Sequence, residues 1–392
     1  MHRTRSLLRC TSAARPRILG PAPALAPRLL TARNTSSSSS SSGGGGGGGG
    51  TSSSADPSGA PPHAHPQRAP RPTRPTRSLA GRVAIVTGAG AQGDGIGNGR
   101  AAAILLAEAG CAVVCADARE EAAQETVAMI ERDGDDDGDD DGMTRTRTKG
   151  TRQAISIAAD VTSERDCQRV ADAALARFGR LDILVNNVGV LGPPGDAVAV
   201  DMAAFARAFD VNVASMVRMA KACVPVMRRN LDPDHRHHHD DGGDEDGRQW
   251  CAGSIVNLGS IAGLRGGGPD LAYCASKGAV VNLTRAMAAQ HAADRIRVNC
   301  VCPGMVYTPM VYGGPAGMTE AARRARRERS LLRTEGSGWD VGAGVRFLAG
   351  DEARWITGVV LPIDAGATAA VGIGMSGLYA SARREPAPGS GN

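Results

Sequence analysis

Tyr273 and Lys277 are the residues whose types and spacing could most directly do chemistry, and Ser260 lies thirteen positions before the tyrosine. If a helix covers 272–290, the phenol and the ammonium stand at i and i+4 and leave the same face one turn apart. A free tyrosine loses its proton near pH 10. Lowering that by three units takes about 4 kcal/mol of preferential stabilisation of the anion, which a close cation in a partly dry site can supply. The phenol then becomes an acid or base usable near neutral pH. Alone, the pair is equally readable as a packed ring beside a solvated charge, so its surroundings decide.

Before the pair stand a strand of small residues, Ser254-Ile255-Val256-Asn257-Leu258-Gly259-Ser260, and a glycine-dense loop over 263–268. After it comes the apolar run Ile296-Arg297-Val298-Asn299-Cys300-Val301-Cys302, closed by Pro303-Gly304. Far upstream, Arg82-Val83-Ala84-Ile85-Val86-Thr87 reads as a buried parallel strand and runs straight into a glycine turn over 88–97. An alanine- and leucine-rich helix follows over 100–109. Strand, glycine turn and helix N-terminus together form an anion site, because the glycines let the backbone approach while unpaired amides and the helix dipole face a diphosphate. The next strand, 111–117, ends in Asp117 about 20 residues beyond the turn, where a carboxylate can accept hydrogen bonds from an adenosine ribose and repel a 2′-phosphate.

Taken in order, these motifs resemble the short-chain dehydrogenase/reductase family over about 79–370. The resemblance implies an α/β fold, a single doubly wound Rossmann domain with a parallel sheet in the order 3-2-1-4-5-6-7. It implies a nicotinamide cofactor, expected to be NAD because of Asp117, with NADP kept open by nearby Arg119. Diphosphate contacts are implied for Gly88, Gly95, Ile96 and Gly97, although six residues separate Gly88 from Gly95 where the family has three. Asp160 and Val161 would hold adenine, Asp160 being equally readable as the cap of a helix beginning near Ser163. In Asn186-Asn187-Val188-Gly189 a valine replaces the family's alanine; Asn187 would brace the cofactor loop and Gly189 would let the ribose approach. Pro303, Gly304, Val306 and Thr308 would close over the nicotinamide.

The same resemblance assigns catalysis to Asn212, Ser260, Tyr273 and Lys277. Tyr273 would exchange a proton with a substrate hydroxyl or carbonyl, and Ser260 would hydrogen-bond the substrate oxygen. Lys277 would bind the nicotinamide ribose and lower the phenol pKa. Asn212, inside a long helix over 201–227, would bend that helix and hold a water that joins the lysine to solvent. The expected reaction interconverts a secondary alcohol and a ketone. Leu191, Leu264 and Met310 suggest an alcohol on a ring or chain, under a lid over 309–335. Arg323, Arg324, Arg326, Arg327 and Arg329 on that lid could attract an anionic substrate, but a solvated outer face is the expected reading. A dimer or tetramer is implied by resemblance alone. The rival readings are a nicotinamide-binding sensor or scaffold without turnover, and an epimerase or dehydratase on the same sheet.

Composition bounds the rest. The chain has 392 residues, 42% of them hydrophobic, and a formal charge of +5, enough for one large domain or two small ones. Residues 1–34 carry seven arginines and no acidic residue, the make-up of a mitochondrial transit peptide, so a mitochondrial address is expected, with a basic tail on a cytoplasmic protein as the alternative. Residues 35–78, rich in serine, glycine and proline, read as flexible linker. The domain proper, 79–392, is interrupted by low-complexity insertions at 133–150 and 232–249. The second insertion contains His235, His237, His238 and His239 among aspartates, but nothing fixes a coordination geometry, and no metal is assigned. No run is long and apolar enough to span a membrane. With 3% aromatic residues and no recognition module, nucleic acid is not an expected partner. The nine cysteines read as reduced core residues.

Overall fold

A computed structural model describes residues 74–135, 152–232, 251–268, 270–313 and 317–370. The segment 1–34, the linker up to residue 73 and most of both insertions lie outside the described residues.

The apolar runs become parallel strands: β1 (Val83–Thr87), β2 (Ala112–Asp117), β3 (Ala154–Ala158), β4 (Ile183–Asn186), β5 (Gly253–Leu258), β6 (Ile296–Pro303) and β7 (Val360–Ile363). They form one sheet in the order 3-2-1-4-5-6-7, as expected. Near-continuous hydrophobic strands need cover on both faces, and helices supply it. In chain order these are α1 (Asn98–Glu108), α2 (Glu120–Asp135), α3 (Glu164–Phe178), α4 (Met202–Phe209), α5 (Ser215–Arg228), α6 (Leu271–Gln290), α7 (Pro309–Tyr312), α8 (Glu320–Arg327) and α9 (Gly338–Ala349). Alternate side chains of a strand point to opposite faces. Ala84, Val86, Val113 and Val185 therefore pack with α1, α2 and α9. Val83, Ile85, Val114 and Leu184 pack with α3, α5 and α6. No helix among the described residues is long and apolar enough to cross a membrane.

Local chemistry sets the element ends. Ser163 caps α3 by accepting from the Asp166 N–H, and Gly179 closes it in the left-handed region at φ +79°. The cap is thus Ser163, and the alternative reading of Asp160 as the cap is corrected. At the other end of the chain, buried Arg297 donates to the carbonyls of Leu348, Ala349 and Gly350, filling the C-terminal end of α9 with a cation. Before the last strand, the Asn299 side chain donates to the Ile356 carbonyl at 3.0 Å and accepts from the Val359 N–H at 3.1 Å, beside backbone bonds from the Gly358 N–H to the Val298 carbonyl at 2.8 Å and from the Cys300 N–H to the Val359 carbonyl at 2.9 Å.

Helix α1 begins two residues before the expected start, and this places Gly99 in its first turn. A methyl group at position 99 would run into the Gly88 carbonyl oxygen and the Asn187 side-chain amide. The helix reaches β1 and β4 only because that methyl is missing. Gly99→Ala is expected to cost about 1–3 kcal/mol of stability by forcing α1 off the sheet, measured by urea unfolding; an unchanged unfolding midpoint would show that the helix has room to spare.

Candidate active site

The C-terminal ends of β1 and β4 mark the point where the strand order reverses, and the chain leaves them in opposite directions, opening a crevice. On the β1 side, Thr87 accepts from the Asn187 N–H at 3.1 Å, and the Asn187 amide donates to the Gly88 carbonyl at 2.9 Å. Asn187 thus ties the exit of β4 to the start of the glycine turn. Gly97 is the N-cap of α1, with Ile96 and Gly95 just before it. A Cβ on Gly95 would lie 2.6 Å from Pro309 Cγ and 2.7 Å from the Tyr312 hydroxyl, so the enlarged turn abuts α7. Gly99 and buried Arg100 belong to the same turn, and neither stands out in the sequence. The signal was the Gly97-Asn98-Gly99 repeat, masked by the more familiar spacing at Gly95-Ile96-Gly97.

Asp117 stands at the end of β2. It accepts from the Gly90 N–H at 2.9 Å and the Arg119 N–H at 3.0 Å, so the carboxylate is fixed to the turn rather than loose in solvent. Asp160 follows β3; the backbone N–H of Thr162, and then its hydroxyl, hold this carboxyl below the usual carboxylate range. Val161 beside it is buried.

On the β4 side, Gly189 is pressed against the catalytic candidates. A Cβ there would lie 3.2 Å from Lys277 Nζ and 3.4 Å from Asn212 Oδ1. Asn212 is fully buried in a π-helical turn, Asp210–Ala214, that separates α4 from α5. The expected single helix over 201–227 is therefore broken there, in the wider geometry that often marks functional sites. Its side chain accepts from the Val190 N–H at 2.7 Å and donates to the Val190 carbonyl and to Ser276 Oγ, both at 2.9 Å. Asn212 is thereby locked to α6 one residue from Lys277, without touching the ammonium through its side chain.

Ser260 ends the loop after β5 and accepts from the Ala262 N–H at 3.2 Å. Tyr273 and Lys277 both lie on α6, with Lys277 Nζ 5.8 Å from the centre of the tyrosine ring. The ammonium is buried and donates to the Leu258 carbonyl at 2.7 Å. Desolvation pushes it down to about 8. Burial pushes the phenol up, and a hydrogen bond with the Ser260 hydroxyl opposes that rise. The expectation that Lys277 depresses the phenol pKa is not met in this geometry, where desolvation outweighs the assisting contact and the ammonium faces a carbonyl.

Pro303 and Gly304 end β6, and the Gly304 N–H donates to the Ile363 carbonyl at 2.9 Å. Val306 donates back to the Gly304 carbonyl at 3.0 Å, while its own carbonyl accepts from Arg326 at 2.9 Å. Thr308 is buried at the start of α7. Arg323 and Arg326 do not form the expected solvated face. Both pair with Glu335, whose side chain is 4% exposed, and they anchor α8 to the segment that carries Val306. Leu191, Leu264 and Met310 remain 48%, 37% and 61% exposed. Among the described residues no group of three or more His, Cys, Asp or Glu side chains is placed to hold a metal ion.

Residues 82–313 match the family model for short chain dehydrogenases. A cis-4-hydroxycyclohexanecarboxylate dehydrogenase from Sinomonas cyclohexanicum is 34% identical, over 74% of this chain and 98% of its own. A meso-2,3-butanediol dehydrogenase from Serratia marcescens is 32% identical, over 74% and 96%. The solved structure of a 7α-hydroxysteroid dehydrogenase complexed with NADH and 7-oxo glycochenodeoxycholic acid superimposes with a TM-score of 0.60 at 30% identity, covering 74% of this chain and 95% of that one. The chain belongs to the short-chain dehydrogenase family. Its coarse chemistry is accordingly nicotinamide-dependent oxidoreduction at CH–OH groups.

The lowered lysine has a consequence for stability. Between about 8 and the ordinary 10.5 the unfolded chain holds a proton that the folded chain has released. Stability therefore rises with pH across that window, and the contribution is lost as pH falls through the folded value. Urea unfolding of the native protein and of Lys277→Met should show the native protein gaining stability relative to the variant across this window. A constant difference would mean that the ammonium is better solvated than its burial implies.

Proposed function

We propose that this chain is an NAD-dependent dehydrogenase that interconverts a secondary alcohol and a ketone, with Tyr273 as the acid/base. The observation that carries the reading is the convergence of Ser260, Tyr273 and Lys277 beside Gly189, at the mouth of a crevice whose other end is bounded by Asp117. The chain's own groups suit the cofactor. Gly189 leaves space against Lys277 that any Cβ would crowd, and the first turn of α1 presents free N–H groups. The nicotinamide, when bound, supplies hydride acceptance or donation.

The protein's part is to place and protonate. Ser260 orients the substrate oxygen and shares a hydrogen bond with the phenol. Tyr273 takes the hydroxyl proton in oxidation and returns it in reduction. Burial alone makes it a poor base, so its anion must be stabilised at the moment of transfer. Lys277 can do this: an ammonium within ~6 Å of a ring interacts with it directly, and of its three N–H groups only one is used by Leu258. Lys277 also sits where a ribose hydroxyl would meet it, against Gly189. Asn212 holds α6 and the 188–190 segment in register. Val306 and Thr308 belong to the segment that closes the nicotinamide end.

Asp117 supports NAD over NADP, because a 2′-phosphate would meet a fixed carboxylate. The exposed Leu191, Leu264 and Met310 support an alicyclic or chain alcohol, the kind of substrate named for the relatives. Assembly as a dimer or tetramer and import into the mitochondrion, supported by the arginine-bearing first 34 residues, complete the proposal.

Two measurements test it. In a screen of secondary alcohols and ketones followed at the reduced-nicotinamide absorbance, Tyr273→Phe should lose about 10²–10⁴-fold in turnover while still binding NAD; undiminished turnover removes the phenol from the mechanism, and a native protein that binds NAD without turning over any substrate favours the sensor reading. Asp117→Ser should narrow the preference for NAD over NADP by about tenfold or more, the equivalent of losing one charge repulsion; an unaltered ratio would place the discrimination elsewhere.

A further inference from the structure

Arg100 is a whole guanidinium in the first turn of α1, with none of its surface exposed. No carboxylate pairs with it among the described residues; its partners are carbonyls and one hydroxyl. Nη1 donates to the Gly93 carbonyl at 2.6 Å and the Gly95 carbonyl at 2.9 Å, Nε to Thr126 Oγ1 at 3.0 Å, and Nη2 to the Ala122 carbonyl at 3.3 Å. Thr126 passes the tie onward, donating to the Ala89 carbonyl at 2.8 Å. Burying a cation in this way costs several kcal/mol unless its donors are well satisfied. Desolvation accordingly weakens its hold on the proton, opposed by the fields of Glu125, Asp94 and Asp117. One of the four partners, Gly93, lies in the lengthened stretch between Gly88 and Gly95, and a second, Gly95, closes that stretch.

The direction of these bonds matters. Every described peptide is trans, so a carbonyl turned toward Arg100 turns the N–H of the next residue away from it. The N–H groups of Asp94 and Ile96 are therefore aimed away from the guanidinium, and neither has an acceptor among the described residues. They stand beside the unpaired N–H groups of the first turn of α1. On its far side the turn is stopped by Pro309 and Tyr312 of α7, so it is held from below by a charge and from above by packing.

We infer that Arg100 is a positioning residue for the cofactor: it fixes the enlarged glycine turn so that the Asp94 and Ile96 amides, with the start of α1, receive the diphosphate. This rests on the nicotinamide-dependent reading above. It concerns binding and not the proton chemistry, since Arg100 lies under the diphosphate turn and far along the chain from Tyr273.

The test compares the full chain with Arg100→Met, Arg100→Lys and Thr126→Val, using calorimetry for NAD and ADP-ribose and competition for adenosine. Arg100→Met should weaken NAD and ADP-ribose alike by about tenfold or more and leave adenosine, which has no diphosphate, within about twofold. In turnover the loss should fall on the KM for NAD rather than on kcat. Lysine keeps the charge but cannot reach both carbonyls and Thr126 together, so it should restore only part of the affinity. Thr126→Val removes one tie and should shift NAD and ADP-ribose in the same direction, which keeps the test available if the methionine variant fails to fold. Equal weakening of adenosine and NAD would show a merely structural arginine, and full restoration by lysine would assign the effect to charge alone; either overturns the proposal, as does an unchanged NAD affinity. A native chain that binds none of the three ligands would instead overturn the nicotinamide reading itself.

Discussion

The Lys277 ammonium is buried against a backbone carbonyl, and the geometry of the site follows from that. A carboxylate partner would have neutralised it and left little field for anything else nearby. The Leu258 carbonyl satisfies one N–H while leaving the full charge in place, in a setting where desolvation already presses the lysine toward its neutral form. A group held this way stabilises an anion that develops within reach, and the centre of the phenol ring lies 5.8 Å away. The cost falls on the fold, which must hold α6 firmly enough to keep an ill-solvated charge from swinging out to water.

Several contacts do that holding, and each comes from a different part of the chain. Asn212 clamps Ser276, one residue before Lys277, to the Val190 backbone. The π-helical turn delivers Asn212 into the interior where a regular helix would have carried it past. At the sheet, Asn186 donates to Asn257, and Asn257 in turn to Thr284 of α6, so β4, β5 and the helix share one buried chain of hydrogen bonds. Gly189 then lets the exit of β4 approach the ammonium more closely than a side chain would allow. The strand order makes this convergence possible, because β4 and β5 continue the sheet on the side of β1 opposite β2.

Much of this was legible in the sequence, for identifiable reasons. Parallel strands buried on both faces leave unbroken apolar runs, and β1, β2, β5 and β6 are visible as such runs, while the sheet order follows from the resemblance of the motifs. The Tyr273 and Lys277 pairing on one helix needed only the i, i+4 rule. What escaped depended on contacts between segments distant in sequence. The approach to β7 is held by the Asn299 side chain on the neighbouring strand, and no pattern within 356–359 announces it. Arg323 and Arg326 read as part of a solvated face because Glu335, their partner, lies beyond the end of α8. The balance at the phenol also could not be read from spacing, since the sequence shows the cation but not the depth of burial.

Three buried cations, Arg100, Lys277 and Arg297, donate to oxygen atoms that carry no formal charge. At Arg297 this serves the fold, where the carbonyls are the negative end of α9 and the cation completes it. The other two lie beside the glycine turn and beside the phenol, Arg100 within the opposing fields of Glu125, Asp94 and Asp117. Asp117 supplies the opposite sign at the end of β2, fixed by backbone N–H groups that do not cancel it. A carboxylate buried beside each cation would cancel its charge locally at the cost of desolvating a second ion, whereas carbonyl and hydroxyl partners satisfy donors and leave the cation's charge in place.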